Sequence, residues 1–254
     1  MVLFKHPLIE SINKIPQYKQ KSPEWLNQRK GFLTSSDSAS ALNCNPYSSY
    51  KELLFKKCGL CKPFTGNIAT RHGEKYEDEA IEKYCSVMGM VNYEFGLIPY
   101  SSVPRDFHQP ELDFLAGSPD GIALPLDADE FTEPVLLEVK CPFRRKPIQG
   151  YCPKYYYPQV QLNMLICNLR ISDFIEYVPD SKTLFITRIF RNDQWLNDSF
   201  PKLISFWKDV QDYREKGIET HPDYAKMYER INKQMIKESQ IETTKEFMMD
   251  SDSD

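Results

Sequence analysis

The chain has 254 residues, 41% hydrophobic and 27% charged, with a formal net charge of −4 and a pI near 5.7. That length and apolar content allow one domain of roughly 200 residues or more with a substantial core. They exclude a membrane-spanning chain, since no apolar run approaches the length of a bilayer-crossing helix. They also exclude a generically basic binder, so any grip on a polyanion must come from local patches and metal ions. Met1-Val2-Leu3-Phe4-Lys5-His6-Pro7 lacks the apolar stretch and cleavage site of a signal peptide. The seven cysteines are odd in number, which fits reduced thiols in a soluble, intracellular protein.

In chain order, residues 1–21 read as a polar lead-in. Ser22-Pro23-Glu24-Trp25 is a helix start, with Ser as cap and Pro in the first turn, and predicts a helix over about 23–30. Through Arg29 it leads into Gly31-Phe32-Leu33-Thr34-Ser35-Ser36-Asp37-Ser38, a hydroxyl-rich turn opening a helix over about 35–43. Such a turn offers N–H groups and hydroxyls to an anion, and Arg29 adds a bidentate phosphate contact; equally, Thr34 to Ser38 can simply cap the helix. A helix over about 48–57 ends at Cys58-Gly59-Leu60-Cys61, a lone CxxC without a second pair at ligand spacing. His6, His72, His108 and His221 form no ligand cluster either.

The next helix covers about 69–88. Glu77 shares its apolar stripe with Ala80, Ile81 and Tyr84. Either a metal or lysine meets that carboxylate in the core, or Glu77 sits at the edge of the stripe and reaches solvent. A sheet is expected from segments near 95–100, 114–124, 135–140, 172–178 and 183–190. Within it, Ser118-Pro119-Asp120-Gly121 precedes Val135-Leu136-Leu137-Glu138-Val139-Lys140. On a strand, Leu136, Glu138 and Lys140 share one face while Val135, Leu137 and Val139 point into the core. Asp120 and Glu138, with the backbone carbonyl of Val139, are an oxygen donor set suited to Mg²⁺, for which Mn²⁺ substitutes. Lys140 would orient a water and add positive charge where a phosphodiester is hydrolysed.

A Glu-x-Lys triplet is weak evidence by itself, because about two acid-x-Lys triplets are expected by chance at ordinary composition. The other, Asp180-Ser181-Lys182, falls in a turn between two strand-like segments. Arg144-Arg145-Lys146, soon after the catalytic strand, suits backbone phosphates, or is a solvated charge run. A helix from about Pro158 to Cys167 aims Gln159 along the face of Leu162, Asn163 and Ile166, where its amide needs a partner or caps the helix end. Amphipathic helices occupy about 193–216 and 222–239, and residues 240–254 form an acidic tail expected to be disordered. Helices around a central mixed sheet, with extra C-terminal helices, make an α/β fold of one domain over residues 1–239.

Five motifs occur in a shared order: Trp25-x3-Arg29-x-Gly31-x2-Thr34-x-Ser36, Gly73-x2-Tyr76-Glu77-x2-Ala80, Ser118-Pro119-Asp120-Gly121, Glu138-Val139-Lys140-Cys141-Pro142-Phe143 and Gln159-Val160-Gln161. Together, over about residues 22–190, they resemble the phage lambda exonuclease (YqaJ-type viral recombinase) family of the PD-(D/E)XK nuclease superfamily. The resemblance implies Asp120 and Glu138 as metal ligands, Lys140 as the catalytic lysine, Glu77 as a further acid beside the metal and Gln159 as the residue orienting groups at the scissile phosphate. Arg29, Ser36 and Ser118 match residues that hold the 5′-phosphate of the resected strand. The activity this resemblance implies is that of a metal-dependent 5′-to-3′ exonuclease on double-stranded DNA ends, serving recombination, repair or viral DNA processing, in the cytoplasm or nucleus of a host if viral. A trimeric ring and a single-strand annealing partner come with the resemblance alone. The segment from Pro125 to Pro134 is longer than in the phage enzyme and reads as an exposed loop. The alternatives are a structure-selective endonuclease of the same superfamily and a DNA-end-binding adaptor without turnover.

Overall fold

A computed structural model describes residues 6–20, 22–60 and 66–233. The readings placed on Cys61, on residues 234–239 and on the acidic tail lie outside these. The lead-in contains a helix, α1 (Pro7–Asn13), capped by His6 with Pro7 in the first turn. Next come α2 (Pro23–Lys30), whose first turn is capped by the Ser22 hydroxyl on Trp25 N, the short strand β1 (Leu33–Thr34), a 3-10 turn at Ser35–Asp37, and α3 (Ser38–Ala41). After α4 (Tyr50–Lys57), the long α5 (Ile68–Met88) starts on an Asn67 cap and stops at Gly89, whose φ of 63° suits glycine.

The strands are β2 (Met90–Tyr93), β3 (Ile98–Pro99), β4 (Leu115–Gly117), β5 (Gly121–Pro125) and β6 (Val135–Lys140). Helix α6 (Tyr157–Ile166), the hairpin β7 (Ile171–Val178) and β8 (Thr183–Phe190), and α7 (Asp193–Lys216) complete the set that can be bounded. A further helix begins at residue 224. The α/β class holds, but the single expected sheet is two. One is three-stranded in the order β1-β4-β3; the other is five-stranded and mixed, in the order β2-β5-β6-β7-β8. The predicted strand 114–124 divides between them, because Pro119 has no N–H to give a ladder and the chain turns at Ser118-Pro119-Asp120.

Central strand β6 pairs antiparallel with β5 and parallel with β7, and both of its faces are covered. Val135, Leu137 and Val139 pack with Ala123, Ile175, Tyr177 and the α5 residues Ala80, Ile81 and Tyr84. On the opposite face lie Leu136 and Glu138, both fully buried, with α6 above them. The same helix lies against β4 of the small sheet, so its side chains reach elements of both sheets.

The described chain divides into two compact units: residues up to Tyr50 with Gly66–Trp207, and those of Lys51–Thr65 with residues from Lys208 on. In the second, Lys51 pairs with Asp223, Glu52 with Arg230, and the Arg214 guanidinium donates to the Lys57 carbonyl. No helix among the described residues is long and apolar enough to cross a membrane.

Candidate active site

The Asp120 carboxylate, one residue before β5, accepts a 2.6 Å hydrogen bond from the Val139 N–H. This bond fixes the acid against the strand that carries Glu138 and Lys140. Glu138 projects beneath α6, where its Oε1 accepts from Lys140 Nζ and from Gln159 Nε2 (2.6 Å) and its Oε2 from Asn163 Nδ2 (3.1 Å). Gln159 and Asn163 are one helical turn apart, so a single face of α6 holds both carboxylate oxygens. Gly117 makes room for this: a Cβ there would collide with the Asn163 side chain.

Lys140 Nζ donates to Glu138, donates to the Val139 carbonyl at 2.9 Å and lies 3.7 Å from Asp120 Oδ2. The ammonium therefore sits as a cation among the three oxygens singled out from the sequence. This set of hard oxygens around a point that attracts positive charge fits Mg²⁺, which takes carboxylate and carbonyl ligands and keeps several waters. Among the described residues no three His, Cys, Asp or Glu side chains gather at one point. Glu77 is half-buried and lines the cleft beside the pair, neither in the core nor on an open face. Burial pushes the Glu138 carboxyl up to about 7, with Asp120 and Glu77 adding to the rise and Lys140 opposing it. Burial pulls the Lys140 pKa down, but the charges of Glu138 and Asp120 outweigh it and the net shift is upward.

The cleft above this site has a volume of about 860 Å³. The first turns of α5 form one wall, residues 139–145 the floor, and Tyr47, Tyr155 and Tyr156 the other side. A second cavity of about 370 Å³ is lined by Gln17, Gln20, Phe95, Gly96, Pro119 and Asp120; Glu77 borders both. Arg144 and Lys146 are exposed, whereas Arg145 is bound to buried Glu176 and is not a loose member of a basic run.

The hydroxyl-rich turn is also assembled. The Arg29 guanidinium lies over the Trp25 ring (4.4 Å) and donates to Thr34 Oγ1 (3.0 Å) and Ser36 Oγ (3.1 Å). Thr34 in turn donates to Asp37 Oδ2 at 3.0 Å. Burial lowers the Arg29 pKa while Asp37 holds it up. Parallel β1 and β4 place Thr34 opposite Ala116, so Ser36 and Ser118, each two residues farther on, leave the same end of the pair. Gln20 Nε2 reaches Ser118 Oγ at 3.5 Å. Asp120 is two residues beyond Ser118, which joins the arginine–serine cradle to the carboxylates. Sequence reasoning named neither Asn163 as a Glu138 partner nor Thr34 and Asp37 as supports of Arg29. The shared α6 stripe of Gln159 and Asn163 was the signal for the first.

The model of the YqaJ-like viral recombinase domain matches residues 24–170, more than half of the chain. This chain belongs to that family. The YqaJ-like chain is 34% identical over 177 residues to a protein of Acanthamoeba polyphaga mimivirus, covering 66% of this chain and 31% of that one. To a protein of African swine fever virus it is 31% identical over 160 residues, 58% of this chain and 46% of the other. It thus spans less than half the length of either viral relative. Among solved structures, an alkaline exonuclease from Laribacter hongkongensis matches with a TM-score of 0.59 and 24% identity, over 77% of this chain and 95% of that one. A phage-related exonuclease from Haemophilus somnus matches with a TM-score of 0.51 and 15% identity, over 74% and 95%. These two likenesses show that the chain shares their fold.

Proposed function

We propose that the protein is a metal-dependent deoxyribonuclease that degrades one strand of double-stranded DNA from its 5′ ends, in viral DNA recombination, repair or processing. The observation that carries this reading is the gathering of Asp120, Glu138 and the Val139 carbonyl around the Lys140 ammonium, in a chain of the YqaJ-like viral recombinase domain family. The alkaline exonuclease and phage-related exonuclease of the same fold support it.

Asp120, Glu138 and the Val139 carbonyl would hold Mg²⁺ or Mn²⁺, which when bound neutralises charge on the phosphate oxygens and makes a water more acidic. Lys140 then donates to the attacking water or to the phosphate, adding positive charge where negative charge builds up. Gln159, which donates to Glu138, would orient that carboxylate and groups at the scissile phosphate. Arg29, Ser36 and Ser118 grip the terminal phosphate of the strand being shortened, the guanidinium supplying the charge and the hydroxyls the remaining donors.

The test is incubation with Mg²⁺ and linear duplex DNA labelled at either end, beside a closed circular plasmid. Progressive loss from phosphorylated 5′ ends with the circle intact is the expected result, and Lys140→Ala and Asp120→Ala should each abolish it while leaving the far-ultraviolet circular dichroism unchanged. Nicking of the circle would replace this reading by an endonuclease; binding without cleavage would replace it by an adaptor.

A further inference from the structure

Glu176 is an acid that the proposed chemistry does not use. It stands on β7 directly opposite Lys140 in the parallel register with β6, on the same face of the sheet as Glu138 and Lys140. It is 1% exposed. Its Oε1 accepts from Arg145 Nη2, and its Oε2 has no hydrogen-bond partner among the described residues. Neighbouring strands are about 4.8 Å apart, within reach of a lysine's four-carbon stem. Lys140 thus has a third carboxylate, Glu176 across the ladder, beside the two it lies with in the structure, Glu138 and Asp120. Glu138 and Glu176 share one neighbourhood: the half-buried Cys152 thiol is pushed up to about 12 by burial, with Glu138 and then Glu176 adding to the rise.

Arg145 bears on which of them the ammonium takes. An isolated buried carboxylate is costly and draws in the nearest cation. The guanidinium is permanently charged and less strongly hydrated than an ammonium, which suits it to a pair at the edge of a buried site. We propose that Arg145 is a positioning residue for Lys140: by neutralising Glu176 it removes a competitor for the Lys140 ammonium, which stays directed at Asp120 and Glu138. The role of Lys140 in this inference rests on the nuclease reading above; the competition among the carboxylates does not.

A mutant cycle in the full chain tests it, with Arg145→Ala, Glu176→Gln and the double variant. One readout is kcat and KM on linear duplex DNA with saturating Mg²⁺. The other is the rate at which an amine-reactive ester acylates Lys140 in the metal-free protein, followed by peptide mass spectrometry. Arg145→Ala is expected to lower kcat by about tenfold or more and to slow acylation of Lys140, with KM little changed. Glu176→Gln alone should change either by less than about threefold, and the double variant should recover both, because the competing charge is gone. A loss of kcat that Glu176→Gln does not relieve, or one accompanied by a rise in KM, would assign Arg145 to direct phosphate contact and overturn the proposal. So would unchanged acylation of Lys140 in Arg145→Ala. If Arg145→Ala does not fold, Arg145→Gln carries the same comparison. The acylation arm needs no cleavage, so a wild-type protein that cuts no DNA would sink the nuclease reading while Lys140 reactivity still decides this one.

Discussion

Glu138 is the residue on which most of the site's behaviour depends. Its carboxyl, raised by burial from 4.5 to about 7, holds its proton more tightly in the folded chain than in the unfolded one. Without metal, its contribution to stability is therefore fully present below about pH 4.5 and is lost as pH rises toward 7. Cation binding runs the other way, because the ligand must be deprotonated: Mg²⁺ affinity should gain about tenfold per pH unit up to about pH 7 and level off above. Isothermal titration calorimetry across that range, with the buffer varied to count released protons, measures it. The face carrying Glu138 and Lys140 was legible in the sequence, since a period of two on an aliphatic strand leaves little freedom. Asp120 and Gln159 beside them were legible too, but Asn163 and Glu176 were not. Asn163 and Glu176 reach the site through the packing of α6 and the register of β7, which depend on contacts remote in the chain.

Among the elements, α5 is tied to the sheet by more than apolar packing. On the α5 face of β7, buried Asp173 accepts from the Tyr84 hydroxyl at 2.7 Å and from Arg188 Nε and Nη2, each at 2.9 Å. Burial and the adjacent Asp173 raise the Tyr84 pKa far above its ordinary value, so the phenol stays a donor at any working pH. Tyr84→Phe should cost about 1–2 kcal/mol in denaturant unfolding, with cleavage per folded molecule unchanged, because Arg188 still satisfies the carboxylate. The α5, β6 and hairpin boundaries followed closely from periodicity and caps. By contrast, β2 was missed because all four of its residues are half-buried and show no alternation, and α1 because its cap is a histidine rather than Ser, Thr or Asp. Reading 114–124 as one strand failed for a different reason: an unbroken apolar pattern does not show that its two halves join different sheets.

For the molecule as a whole, a net charge of −4 means that, under the proposed function, the grip on DNA must be local. With Arg145 engaged by Glu176, the cations expected from the sequence to meet backbone phosphates reduce to Arg29 of the cradle, Arg144 of the cleft lining and the exposed Lys146 beside it in the chain. Metal-free binding of a duplex end should therefore weaken with salt at a log–log slope of about −3, and Arg29→Ala should reduce that slope by about one, as read by fluorescence anisotropy. The turn at Ser118-Pro119-Asp120 joins β4 of one sheet to β5 of the other and carries the Ser118 hydroxyl at one end and the Asp120 carboxylate at the other. Two residues of chain span at most about 7 Å, and less where the chain turns, so the two backbone positions are held within about one phosphate-to-phosphate step of a strand. Under the proposed function that turn is a ruler: the length of each released piece is set by covalent geometry rather than by how long the strand dwells, and lengthening the turn by a residue would change the size of the product before it changed the rate.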